Sequence, residues 1–345
     1  MERTLGAHAP RRRSRLGEWA LNALAVALSL VLIYAGAEAY VSLAVDDGMQ
    51  FDLEMWRYSR DVKRRSANPL IGHEHTPGSQ ARLMGVDVAI SSQGLRDREF
   101  PLTPPPGRKR ILMLGDSLTF GWGVPGDKTY AKRLEDMLRK AGHDAEVINT
   151  GVGNYNTEME VAWFLERGSR FKPHYVVLNY FINDAEPTPR YQTSLLAEHS
   201  RAYVYFASRI DAALRQTNLA TRTDWHGYYA SLYNDPDGLR RVGAAIERLA
   251  RYCSSQRIEL MVANYPELRQ PADYPFRYVN GAIERLAAAN RLPYLDLLPA
   301  VRDMQPESLW VTRPDPHPSI AAHEAFAAAL FRHFDRELRP PRKPS

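Results

Sequence analysis

The chain has 345 residues, room for one large α/β domain with insertions or for two units of about 150 residues. A 44% hydrophobic and 25% charged composition excludes a disordered, collagen-like or disulfide-scaffold protein, and the single cysteine, Cys253, offers no intramolecular disulfide from which to read a redox compartment. The net charge of +5 lies at the two ends: residues 1–16 hold five arginines against Glu2, residues 332–345 hold four arginines and a lysine against Asp335 and Glu337, and the chain between them is at −2. An excess confined to the ends builds no phosphate-tracking surface, so no nucleic-acid partner is expected.

In chain order, the first predicted element is a membrane helix. No charged residue interrupts Ala20 to Ala37, and the apolar run continues past Glu38 to Val45. As helix the shorter run reaches about 27 Å and the longer about 39 Å, against a hydrocarbon core of about 30 Å. The arginine cluster ahead of it predicts residues 1–19 as a cytoplasmic basic segment and 20–45 as a single transmembrane signal anchor. Everything beyond is then extracytoplasmic, which in a bacterium means anchored in the inner membrane and facing the periplasm, with the lipid bilayer as a partner. Small residues at Ala35-Gly36-Ala37 and Ala37-Glu38-Ala39 also suit a cleaved signal peptide; the length of the apolar run favours the uncleaved anchor.

Residues 46–107 are polar and rich in turn formers, with Asn68-Pro69, Thr76-Pro77-Gly78 and the prolines between 101 and 106. They read as a juxtamembrane stalk followed by short extended accessory pieces, among them Val86 to Ser91, that pack on the main domain. His73-Glu74-His75 lies here and reads as a solvated loop, because two histidines with no further ligand cluster do not make a metal site. From 108 to 338 apolar runs and helical patterns alternate. Strands are expected at Arg110–Leu114, Glu146–Asn149, Tyr175–Tyr180, Glu259–Asn264 and Tyr294–Leu297. Helices are expected at Tyr130–Ala141, Glu158–Gly168, Leu239–Cys253, Val279–Ala289 and from Ser319 to Arg336. This alternation predicts a parallel sheet covered by helices on both faces, with ligands at the carboxyl ends of the strands. An insertion at 185–239 interrupts it, and residues 339–345 form a basic tail. The insertion's aromatics, Tyr203, Tyr205, Phe206, Trp225, Tyr228, Tyr229 and Tyr233, either line a carbohydrate or acyl site or pack a small core of their own.

The strand ends carry the chemistry. The first strand runs into Gly115-Asp116-Ser117, the second into Thr150-Gly151-Val152-Gly153-Asn154, the third into Ile182-Asn183-Asp184, and Asp315-Pro316-His317-Pro318 precedes the last helix. A serine hydroxyl needs a base to become a nucleophile and the base needs an orienting group. Ser117 and His317 fit the first two roles. Asp315 fits the third, since residues two apart on an extended chain point the same way, and Pro314, Pro316 and Pro318 keep that segment extended. Backbone N–H groups of Ser117 and of Gly153 or Asn154, with the Asn183 amide, would supply an oxyanion hole. Asp116 reads as a structural residue bonding the tight turn, and His323 as helix surface or as a support behind the base. Trp122 either stacks on a sugar ring in substrate binding or covers the core.

The segments GDSLTFGWGV, NTGVGNYNT, NYFIND and DPHPSIAAH, in that order, resemble the SGNH/GDSL hydrolase family, and the layout with one N-terminal anchor is similar to its membrane-anchored bacterial members. The resemblance covers roughly residues 108–336. It implies a flavodoxin-like three-layer α/β/α fold and ester hydrolysis or acyl transfer, with Ser117, Gly153 or Asn154, Asn183 and His317 as site residues, and neither metal nor cofactor. Two departures stand out. The family usually places its aspartate three residues before the histidine, where this chain has Asp315 two before, with Asp303 as a fallback; and the glycine usual two before Asn183 is Phe181. The expected function is that of a serine esterase or acyltransferase on O-acyl esters, O-acetyl first, of envelope or extracellular glycans. A lipase- or thioesterase-like acyl hydrolase and a non-catalytic glycan-binding scaffold in an envelope assembly complex are the rival readings.

Overall fold

The computed structural model describes residues 15–188, 194–217, 225–313 and 315–339. The expectations for the terminal basic segment 1–14, for Pro314 and for the tail 340–345 fall outside them. Helix α1 (Arg15–Tyr40) is apolar on all sides and ends in a wider, π-type turn at Val41–Val45. Its side chains, such as Leu24, Leu28 and Leu32, lie open around its circumference. Within residues 17–45 an 18-residue stretch reaches a mean hydropathy of 2.0, so among the described residues one helix is long and apolar enough to cross a bilayer.

The next segment differs from the expected stalk. It folds back as α2 (Phe51–Arg57), capped by the Gln50 side chain on the Leu53 N–H, followed by a wide turn at Tyr58–Val62. Strands β1 (Lys63–Arg65) and β2 (His73–His75) pair antiparallel, as do β3 (Gln80–Leu83) and β4 (Val86–Ala89). Met84 and Gly85, both at positive φ, close the second pair as the left-handed two-residue turn such hairpins require. His73, Glu74 and His75 are therefore not a solvated loop: all three are buried. Their neighbours lie far off in sequence, which is why local polarity misleads here.

The body is a five-stranded parallel sheet. Strand β5 (Lys109–Leu114) leads into the single helical turn α3 (Ser117–Phe120), and α4 (Tyr130–Lys140), β6 (Ala145–Asn149), α5 (Thr157–Glu166) and β7 (Tyr175–Tyr180) follow. The insertion supplies α6 (Leu195–His199), α7 (Arg201–Thr217) and α8 (Trp225–Asn234). The alternation resumes with α9 (Pro236–Gln256), β8 (Glu259–Asn264), α10 (Arg277–Ala289) and β9 (Tyr294–Asp296). A short antiparallel pair, β10 (Trp310–Thr312) with β11 (Asp315–Pro318), precedes α11 (Ile320–Glu337).

The spatial order β6-β5-β7-β8-β9 is that of a flavodoxin-like doubly wound sheet. One apolar layer, including Leu112, Phe164, Leu178 and Ile246, packs α5, α9 and α10 on one face; the other, including Met113, Leu134, Phe326 and Leu330, packs α4 and α11 opposite. Both faces of β5 and β7 are thus covered, which accounts for their near-continuous apolar runs. Among its described residues the insertion builds no core of its own. Tyr233, Trp225 and Tyr229 of α8 join the main core, while Ala202, Val204 and Tyr205 of α7 pack on Val41 and Leu53 beside α1 and α2.

Candidate active site

The sheet reverses direction of winding between β5 and β7, the position at which doubly wound folds bind ligands. A Cβ on Gly115, at the end of β5, would stand 1.9 Å from Thr119 Oγ1, so only glycine admits the tight turn. Asp116 caps that turn, its Oδ1 accepting from the Leu118 N–H at 2.9 Å. Ser117 follows at the cavity floor. Arg96, which nothing in its local sequence marks, holds the loop from behind: its buried guanidinium donates to the carbonyls of Phe120 at 3.0 Å, Gly121 at 2.5 Å and Val124 at 2.7 Å. Burial pulls its pKa down to about 10.

Across the cavity, β11 presents Asp315 and His317 on one side. Asp315 Oδ1 accepts from both the His317 Nδ1 at 2.5 Å and the His317 backbone N–H at 3.1 Å. A carboxylate only accepts, so Nδ1 carries the proton, and Nε2 of the neutral ring is left to accept from Ser117 Oγ at 2.9 Å. The two-residue spacing therefore closes the chain Ser117–His317–Asp315, because a strand aims alternate side chains together. Asp315 stays ionised: burial pushes its pKa up, and this is outweighed by hydrogen bonds from His317 and by the Trp122 indole, leaving it below the ordinary value. Asp303 plays no part, being exposed and ion-paired with Arg302 at 3.2 Å.

The loop after β6 separates two residues that the sequence leaves equivalent. The Gly153 N–H donates to Tyr58 Oη at 2.9 Å, and its carbonyl accepts from Lys63 Nζ at 2.6 Å and pairs with His73 Nε2 at 2.9 Å. Gly153 thereby has its N–H and carbonyl engaged and is not among the residues lining the cavity, so of the two alternatives its N–H is not open to the expected oxyanion hole. Asn154 stands at φ +67° and lines the cavity, and its N–H is engaged by no other group among the described residues. Gly151 permits this approach, since a Cβ there would meet the Phe120 nitrogen at 2.1 Å. Tyr58 Oη also pairs with His75 Nε2 at 2.7 Å, so residues of the second accessory strand brace the loop. Burial, then the Lys63 charge, holds both histidines near pKa 3, and burial alone brings Lys63 down to about 7.

Asn183 also lines the cavity, its amide donating one hydrogen to Asp116 Oδ2 at 3.2 Å. The cavity holds about 290 Å³, with Phe51, Met55, Phe181 and Tyr229 among its walls. Trp122 is not on that wall. It is 1% exposed, and its indole N–H donates to Asp315 Oδ2 at 2.9 Å, so it holds Asp315 from behind rather than lining the cavity. His323 is fully buried, not on the helix surface, and its Nδ1 accepts from the Tyr130 N–H. Beneath the floor lie three buried carboxyl groups, Asp116, Glu160 and Asp184, of which Glu160 has neither oxygen hydrogen-bonded. Burial raises all three. No cluster able to hold a metal ion occurs among the described residues.

Residues 113–325 match the sequence pattern of the GDSL-like lipase/acylhydrolase family. Among solved structures, the chain is similar to the lipase/acylhydrolase of Enterococcus faecalis, at 15% identity and TM-score 0.45, over 68% of this chain and 100% of that one. It is also similar to Axe2, an acetylxylan esterase from Geobacillus stearothermophilus, at 18% identity and TM-score 0.43, over 68% of this chain and 97% of the other. No curated protein matches it.

Proposed function

The chain belongs to the GDSL-like lipase/acylhydrolase family and is an ester hydrolase, and from that premise we propose that it is a membrane-anchored serine esterase or acyltransferase acting on O-acetyl esters of envelope or extracellular glycans. The hydrogen-bonded chain from Ser117 through His317 to Asp315 at the cavity floor carries the reading. Ser117 Oγ attacks the acyl carbonyl as its proton passes to His317 Nε2, and Asp315 stabilises the imidazolium that forms. The carbonyl oxygen becomes an oxyanion facing the N–H groups of Ser117 and Asn154 and the free hydrogen of the Asn183 amide. Collapse of the intermediate breaks the C–O bond, and the leaving alcohol takes the proton from His317. Water, or an acceptor hydroxyl in the transferase case, then attacks the acyl-enzyme by the same route in reverse.

A cavity of about 290 Å³ sits at the low end of ligand sites, about 300–1,000 Å³, and favours a short acyl group over a long chain. The domain organisation that accompanies this reading is a membrane helix at 20–45, accessory segments at 46–107 and a hydrolase domain at 108–338. The length of the apolar run favours the uncleaved anchor, and cleavage after Ala39 would remove Glu38, whose carboxylate accepts from Ser200 Oγ and the Arg201 and Ala202 N–H groups. The catalytic domain then faces the extracytoplasmic side, the arginine-rich end remaining inside.

The test is turnover of 4-nitrophenyl esters by the full chain in detergent. Ser117→Ala is expected to lower kcat by about 10⁴- to 10⁶-fold and to abolish labelling by an organophosphonate. Acetate esters should be preferred over longer ones. Full activity in Ser117→Ala would refute the acyl-enzyme route, and a preference for long acyl chains would move the substrate to lipid.

A further inference from the structure

We infer that α7 is a second membrane-contacting element: an amphipathic helix lying in the headgroup region of the outer leaflet beside α1, with Tyr203, Phe206 and Ile210 turned into lipid. This rests on the reading that α1 spans the bilayer. The three side chains recur at i, i+3 and i+7, one stripe of a helix, and are 41%, 39% and 60% exposed. The opposite side of α7 is occupied. Ser208 Oγ donates to Asp52 at 3.0 Å there, while Ala202, one turn before Phe206, is buried at the α1 end against Val41 and Leu53.

The depth of α7 follows from what holds its first turn. Glu38 of α1 accepts from Ser200 Oγ at 2.9 Å and from the Arg201 and Ala202 N–H groups at 3.0 Å each, so the start of α7 is fixed to α1 at that level. Trp19 and Tyr40, 75% and 56% exposed, mark the ends of the apolar helix. Their separation along the helix, about 32 Å, matches the hydrocarbon core with an aromatic ring at each interface. Glu38 and the first turn of α7 therefore lie at the outer interface, where a helix with one apolar stripe is accommodated in the plane of the membrane. The charged groups agree. Arg201 reaches Asp46 at 3.2 Å and Arg209 reaches Asp52 of α2 at 3.4 Å, so both are ion-paired within the protein.

The lipid surface is the occupant favoured over a second copy of the chain because α7 is tied to α1 at Glu38 and packs on it, beside a helix whose open apolar surface already needs lipid around it. Docking has a consequence for the site. α7 packs on α2, and α2 contributes Phe51 and Met55 to the cavity wall, so the cavity is held at a fixed height above the leaflet.

The experiment places a polarity-sensitive fluorophore on single cysteines at Phe206→Cys and Ile210→Cys, with Leu28→Cys on α1 and Arg251→Cys on α9 as references. Native Cys253 is buried, which keeps it from competing for the label. The full chain is reconstituted in vesicles of phosphatidylethanolamine and phosphatidylglycerol carrying spin-labelled lipids. The expected result is blue-shifted emission at 206 and 210 quenched by a spin label near the headgroup, quenching at 28 by one deep in the acyl chains, and neither at 251. Quenching at 28 with water-like emission at 206 and 210 would overturn the inference while leaving the anchor intact. Blue-shifted emission at 206 and 210 that spin-labelled lipid does not quench would assign the stripe to protein contact and also overturn it. Absence of quenching at 28 would remove the spanning reading and the inference with it.

Discussion

Asp315 receives three donors, two from His317 on Oδ1 and the Trp122 indole on Oδ2. Removing the indole donor takes one charge-assisted bond from the group that stabilises the imidazolium in the proposed mechanism. Such a bond contributes about 1.5–3 kcal/mol, so Trp122→Phe is expected to lower kcat by about 10-fold or more with little change in KM. Steady-state kinetics on 4-nitrophenyl acetate would check this, and a change confined to KM would count against it. Tyr58 acts on the other side of the cleft. Its Oη is the only partner described for the Gly153 N–H, so Tyr58→Phe leaves a buried donor unpaired beside Asn154, at a cost of about 1–3 kcal/mol. Both thermal stability and kcat should fall in that variant, while Ser117 remains reactive to phosphonate at a slower rate.

At the scale of elements, β11 and α7 show how one side chain fixes a segment. In β11 the strand pairing with β10 and its prolines hold Asp315 and His317 on one side, and the shared Oδ1 ties ring and backbone together. In α7 the fixing residue belongs to another element. Glu38 caps the first turn of α7 from α1, and losing a cap costs about 1 kcal/mol. Glu38→Gln retains an acceptor but not the charge, whereas Glu38→Ala removes both. Amide exchange at Ala202 and Tyr203 should quicken about fivefold in Glu38→Ala and by less in Glu38→Gln, read by mass spectrometry. Unchanged exchange in both variants would show that packing on Val41 and Leu53 holds α7 without the cap.

At the scale of the whole molecule, the buried carboxyl groups under the site shape the pH dependence of stability. Glu160 lies with both oxygens unbonded, and burial, followed by the charges of Asp184 and Asp116, raises its pKa well above the ordinary 4.5. The folded protein therefore keeps a proton that the unfolded chain gives up above that value. Its contribution to stability is full below about pH 4.5 and is lost as pH rises toward the folded-state value. Glu160→Gln keeps the shape and cannot ionise, so its melting temperature should fall less than that of the parent between about pH 5 and pH 8. Parallel melting curves across that range would contradict a proton held on Glu160.

Much of this protein is written locally. The βαβ alternation, the spans of Tyr175–Tyr180 and Glu259–Asn264, the Asp116 turn and the apolar run of α1 follow from periodicity and turn chemistry, which neighbouring residues record. Ser117, Asn183, Asp315 and His317 were legible for the same reason: each stands at a strand end or in a short extended segment whose geometry the sequence sets. Other features depend on residues distant in the chain. Gly153 is occupied by Tyr58 from 95 positions away, Trp122 meets Asp315 across 193, and Glu38 meets Ser200 across 162. The burial of His73 to His75, the engagement of the Gly153 N–H and the placement of α7 rest on such contacts. Local sequence sets backbone conformation and the side on which a residue points. Only the packed chain decides which distant group is there to receive it.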